Sequence, residues 1–292
     1  MEKEQILQII GKNNFPIAIG GQNSDNFDFD CGIYNLIIFD GDLIPDKIVQ
    51  HDSKILKIHH EDLTDKNFER LLYYENLQIL QDSQWDLKIL LSEIQEKKNS
   101  IFLTSAKNSI VESQLALSKA KSAIDTDDPF VTCWIKCASI SLLNSILFKN
   151  RILPSPTQAL ASIRNLKDKN TSQFSDKIIS ELGIERSTSS LLSRMLKSSS
   201  GFSDMIEKNQ NSLIIEKKAN YLIKNSLFSD CYMFLNYQNK NNFYKIKDSL
   251  NKNSDKIHVL KVAFDLSNDV SESSQSIESL SDIARSLLNN FH

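Results

Sequence analysis

Glycine and proline are scarce and unevenly spread. The 292 residues include seven glycines and five prolines, and Gly11, Gly20, Gly21, Gly32 and Gly41 all fall in the first 41 positions. No glycine interrupts residues 42–182. This excludes a turn-rich β architecture for most of the chain and confines tight turns to its front. Cysteine is sparse as well. Cys31, Cys133, Cys137 and Cys231 form no CxxC pair, which argues against a zinc or disulfide framework and in favour of buried free thiols. Cys133 and Cys137 share a helix face, yet no histidine or acid accompanies them as a ligand set, so core packing is the expectation. A basic excess is missing too: the formal net charge of -3 gives no reason to expect a nucleic-acid coat. The opening MEKEQILQII is amphipathic, with charges inside its first four residues, and is unlike a secretory leader; a cytoplasmic protein is expected.

What is present is ordinary globular composition, 40% hydrophobic and 24% charged, in a chain long enough for two domains. Ile6, Leu7, Ile9 and Ile10 have helical spacing. Ile17-Ala18-Ile19 reads as a short buried strand ended by Gly20-Gly21. Phe27 and Phe29 then alternate with Asp28 and Asp30, and a strand here would put both carboxylates on one face and both rings on the other. A second apolar run, Tyr34 to Phe39, ends in Asp40-Gly41-Asp42. Lys47-Ile48-Val49 and residues 54–60 flank His51-Asp52-Ser53, which predicts an antiparallel hairpin. A helix over 64–74 and a brief strand over 76–80 complete an α+β domain over residues 1–83, with a small mixed, largely antiparallel sheet.

Residues 84–292 read as an all-α helical bundle. Leu87, Leu90, Leu91 and Ile94 line one helix face, and the pattern continues over 101–124. Asp128 as cap and Pro129 at the first helical position open an apolar helix that runs to about Asn150. Lys136 near its middle argues against a membrane span and for the central helix of a bundle. Further helices are predicted over 158–166, 172–182, 187–197, 202–224, 227–250, 256–266 and 276–290, with Ser198-Ser199-Ser200-Gly201 as a loop. Tyr237, Phe243 and Tyr244 stand among lysines and asparagines, a pattern read as a solvated amphipathic helix ahead of a nucleic-acid surface. Helix faces of this kind also offer a route to a homo-oligomer.

The front of the chain resembles the nucleotidyltransferase fold of the DNA polymerase β superfamily, in which a strand leads to a Gly-Gly or Gly-Ser turn and then to Asp-x-Asp on the next strand. Ile19-Gly20-Gly21 and Phe27-Asp28-Phe29-Asp30 carry the resemblance, together with the apolar run Leu77 to Leu80 that leads through Asp82 and Trp85 into a helix. The segment DPFVTCWIKCASISLLNSILFKNRILPSPTQALASIR is similar to the HEPN-type helical partner of such domains, over about residues 100–166. Together the two resemblances cover about residues 15–166. They imply that Asp28 and Asp30 hold Mg²⁺ as metal ligands and catalytic groups, and that Gly20, Gly21 and Ser24 seat a nucleoside triphosphate. The implied reaction is Mg-dependent transfer of a nucleoside monophosphate to a hydroxyl acceptor.

Against this pattern, only six residues separate Gly21 from Asp28, and the strand 54–60, where the fold normally supplies a third carboxylate, contains none. Lys57 or His59 would point toward the site, with Asp40 and Glu61 as the nearest substitutes. No histidine lies between His60 and His258, so the HEPN ribonuclease motif is missing and no catalysis is assigned to the helices. The alternative to a transferase is a catalytically degenerate nucleotide-binding or protein-interaction module.

Overall fold

The computed structural model describes residues 3–11, 13–20, 26–42, 44–65, 67–126, 128–166, 168–206, 211–250, 254–266 and 270–289. The chain is a mixed α and β protein that divides into two compact units, Met1–Ile101 and Phe102–His292. The division falls within one long helix.

In the first unit the order is α1 (Lys3–Ile10), β1 (Ile17–Ile19), α2 (Asn26–Asp30), β2 (Ile33–Ile38), β3 (Lys47–His51), β4 (Lys54–His60), α3 (Phe68–Tyr74), β5 (Gln78–Gln81) and the start of α4 (Asp86–Asp125). The strands form one mixed sheet in the order β3-β4-β2-β1-β5. β2 and β4 are parallel, and the other three pairings are antiparallel. Alternation along the strands sorts side chains onto two faces. Ile17, Ile19, Leu36, Ile38, Leu56, Ile58 and Leu80 pack with Ile6 of α1 into one core, with Leu7, Ile9 and Ile10 against it. The opposite face carries Ala18, Ile37 and Ile55 together with the polar Asn35, Lys57 and His59. The hairpin expected around His51-Asp52-Ser53 is β3 and β4, turned by Asp52 with φ of 55°.

One sequence expectation is overturned at the point that matters most. Residues 27–30 are not a strand; they are the short helix α2. Cys31 N donates to Phe27 O at 3.0 Å, Gly32 N donates to Phe29 O at 2.8 Å, and Gly32 ends the turn with φ of 65°. Two Phe-Asp pairs are too few to impose a period of two, and a glycine in the left-handed region is the standard stop for a helix. Burial follows the helical period: Phe27, Asp28 and Cys31 are buried, and Phe29 and Asp30 are exposed.

In the second unit α4 continues and is followed by α5 (Val131–Lys149), α6 (Ala159–Arg164), α7 (Lys169–Leu182), a 3₁₀ turn (Ile184–Arg186), α8 (Ser189–Ile206), α9 (Asn211–Lys224), α10 (Phe228–Leu250), α11 (Ser254–Phe264) and α12 (Val270–Asn289). α5 is central, as its composition predicts, and packs against α6, α7, α10 and α12. By length and apolar character it would suit a membrane, but 83% of its most apolar stretch is buried within the protein. All four cysteines are free and buried. α5 begins at Val131 with Phe130 as its cap residue, later than Asp128-Pro129 suggested. The reason is local: the Asp128 carboxylate accepts the Phe130 N–H at 2.9 Å, which spends that side chain on a turn ahead of the helix. Ser198 to Gly201 is not a loop but the middle of α8. Ser199 is fully buried and its hydroxyl accepts from Asn239 Nδ2 of α10 at 2.9 Å, so tertiary contact overrides the low helix propensity of this run.

The core of the bundle holds a buried lysine. Lys136 Nζ donates to Tyr232 Oη at 2.8 Å and to Phe264 O at 2.6 Å. The Tyr232 hydroxyl lies 3.0 Å from Asp265 Oδ2, which also takes Arg186 Nη2 at 3.0 Å. Burial brings the Lys136 ammonium down to about 7, the Asp265 carboxylate opposing that fall and Arg186 adding to it. Between pH 7 and the ordinary lysine value the unfolded chain therefore holds more protons at this residue, and stability rises with pH. We expect the thermal midpoint to climb between pH 7 and 8.5 and Lys136→Met to flatten that climb. Differential scanning calorimetry across this window, kept below the range where the buried cysteines titrate, makes the comparison.

Candidate functional site

The candidate site lies on the sheet face opposite α1. β1 delivers Gly20, α2 delivers Asp28, and the parallel pair β2 and β4 delivers Asn35 and Lys57 as register partners, with His59 two residues further along β4. Asn35 Nδ2 donates to Asp28 Oδ2 at 2.9 Å, and Asp28 is 2% exposed. The backbone is tied at the same place, since Gly20 N donates to Asn35 O at 2.9 Å. Gly20 adopts φ of 116°, and a Cβ there would stand 3.2 Å from the Asn76 carbonyl oxygen. Only glycine makes this turn without strain.

Beside Asn35 a second cluster is closed on itself. Asp46 receives Lys57 Nζ at 2.8 Å on one oxygen and pairs with His59 Nδ1 at 3.0 Å on the other. Burial alone would raise the Asp46 carboxyl, but the His59 hydrogen bond and the Lys57 ammonium outweigh it and hold the group far below the usual carboxylate range. At the ends of the two parallel strands His60 Nδ1 lies 2.7 Å from Asp40 Oδ2. Arg70 Nη1 donates to Glu61 Oε2 at 2.8 Å and to Asp65 Oδ2 at 3.0 Å.

These positions decide what the sequence-predicted residues do. Asp28 and Asp30 do not share a face: two residues apart on a helix they are separated by about 200°, and one is buried while the other is exposed. The strand that follows the glycine turn is β2, and it carries Asn35 in place of an aspartate pair. Lys57 stands next to Asn35 on the neighbouring strand, and the two substitute carboxylates, Asp40 and Glu61, are engaged by His60 and Arg70. Among the described residues no group of three or more His, Cys, Asp or Glu side chains could hold a metal ion. Gly21 and Ser24 lie outside the described residues. Sequence reasoning missed Asn35 and Asp46; Gly32 was the available signal, because a helix stop at that position moves the next strand's first polar residue to Asn35.

Two substitutions probe this arrangement. Gly20→Ala should cost about 1–3 kcal/mol, the range for a non-glycine residue held in such a backbone conformation, measurable as a lower urea midpoint. Asp46→Asn removes a carboxylate whose contribution is complete above the ordinary aspartate value and is lost as pH falls through the depressed one. It should destabilise by about 1–2 kcal/mol at pH 7, and its deficit against wild type should shrink in strong acid.

No protein-family model matches the chain and no curated protein matches it, so side-chain geometry is what bears on function.

Proposed function

We propose that the sheet unit is a nucleotidyltransferase-like module that binds nucleoside triphosphate but does not carry out Mg-dependent transfer. The observation behind this reading is the Asn35–Lys57 pair on adjacent parallel strands. Mg²⁺ demands anionic oxygen ligands, and here the Asn35 amide and the Lys57 ammonium engage the neighbouring carboxylates, Asp28 and Asp46, where a transferase of this type needs carboxylates open to the metal. Lys57 stands across from Asn35, whose carbonyl accepts the Gly20 N–H, and its ammonium would be shared between the Asp46 carboxylate and an incoming phosphate. Asp46 holds the lysine and His59 in place. The helical unit has no catalytic part in this reading and serves as the partner domain.

Isothermal titration with ATP and GTP, with and without Mg²⁺, tests it alongside a pyrophosphate-release assay. We expect binding that does not need the metal, survives Asp28→Asn/Asp30→Asn and weakens about tenfold in Lys57→Met, with no pyrophosphate released. Mg-dependent release that disappears in Asp28→Asn would restore the transferase. Absence of binding by any triphosphate would remove nucleotide as the ligand.

A further inference from the structure

Three helix faces in the second unit converge on a cleft of about 400 Å³, within the roughly 300–1,000 Å³ typical of small-molecule sites. Lys119, Ser122 and Ala123 occupy positions i, i+3 and i+4, hence one face of the end of α4, and Thr126 follows directly after the helix. Phe130 and Trp134 are four apart at the start of α5, and Phe243 and Lys247 are four apart on α10. Small Ala123 leaves the space open. The aromatic wall is rigid: Trp134 meets Phe243 edge to face at 4.8 Å, and Phe130 lies 5.7 Å from Phe243 between ring centroids.

The charge in the cleft is positive. Lys247 Nζ sits 5.6 Å from the Trp134 ring and 5.5 Å from the Tyr244 ring. Among the described residues neither Lys119 nor Lys247 makes an ion pair. The carboxylate that lines the cleft, Asp128, accepts the Phe130 N–H and keeps its negative charge, so the two lysines leave the lining one positive charge in excess. Of the buried lysines in this unit, Lys240 takes Glu112 and Ser141 and Lys136 takes Tyr232 and Phe264 O, whereas in the cleft Lys119 is exposed and Lys247 half-buried. Two ammonium groups around an aromatic wall suit a ring that carries an anionic group, the ring against Trp134 and Phe130 and the anion between the lysines.

We propose that this cleft binds a planar aromatic anion, a ring bearing a phosphate or carboxylate. The site is independent of the sheet unit, and Trp134 reports on it alone once the second tryptophan is removed by Trp85→Phe. In that protein, phenyl phosphate and AMP are titrated by tryptophan fluorescence, with inorganic phosphate and adenosine as the charge-only and ring-only controls. We expect a saturable change with phenyl phosphate or AMP that both controls reproduce at least tenfold more weakly. Lys119→Gln/Lys247→Gln should weaken it at least tenfold at unchanged thermal midpoint, and Ala123→Leu, which fills the cleft, should abolish it. Tighter binding of AMP assigns a nucleotide as the source of the anion, and tighter binding of phenyl phosphate assigns a simpler aromatic acid. No saturable change, a response unaltered by the lysine pair, or inorganic phosphate binding as tightly as the ring-bearing anions would overturn the proposal. Because none of these readouts involves Mg²⁺ or Lys57, failure here leaves the reading of the sheet unit untouched.

Discussion

The parallel pairing of β2 with β4 is the constraint on which the first unit depends. Both strands are interior to the sheet, and their shared register fixes Leu36 beside Ile58 on the face packed by α1 and Asn35 beside Lys57 on the other. A shift of one residue would put Lys57 into the apolar core and Leu56 onto the polar face, so the register is held by the cost of burying an ammonium. Once it is held, the polar residues have little freedom. Asn35 must satisfy Asp28, Lys57 and His59 must share Asp46, and His60 at the strand end meets Asp40. The chemistry available on this face is therefore a by-product of the pairing, and it is a chemistry of matched charges with no open set of carboxylates.

The sequence was legible where burial dominated. The strands Ile17-Ala18-Ile19 and Tyr34 to Phe39, the hairpin around Asp52 and the apolar helix through Lys136 all announced themselves, because each has enough apolar residues to fix its period. Residues 27–30 did not. Two aromatic and two acidic residues satisfy a period of two as well as one turn of helix, and what decided the outcome was a glycine two residues downstream and the need to bury Phe27 and Cys31 together. Once α2 took the aspartates, Asn35 became the polar residue that the next strand offers to the site. The Ser198 to Gly201 run failed for the opposite reason: its composition favours a loop, but its small side chains suit the close contact of α8 with α10 and α11, which no local pattern reveals.

In the second unit α5 plays the part that the β2–β4 pair plays in the first. A helix apolar on nearly all sides needs neighbours on all sides, and α6, α7, α10 and α12 supply them. Its polar residues are then forced inward. Lys136 survives burial because Tyr232 and Phe264 O accept from it, with Asp265 and Arg186 behind them, while Ser141 joins Glu112 and Lys240. Such networks contribute less net stability than their hydrogen bonds suggest, since desolvation offsets much of the attraction. Their effect is on arrangement, for a bundle that misplaced α10 or the end of α11 would leave an ammonium without acceptors.

Among the described residues, then, the buried Lys136 and Lys240 both have acceptors. Against that background the cleft between the end of α4, the start of α5 and α10 differs in kind. Its two lysines make no ion pair among the described residues, its aromatic wall is built from residues already fixed by the core, and Ala123 contributes a small side chain to its lining. A leucine at Ala123 would reach into that space, gaining dispersion contacts where it fits and straining the adjoining helices where it does not. Open space beside a lining with a net positive charge is the feature on which the proposed anion site of the helical unit rests.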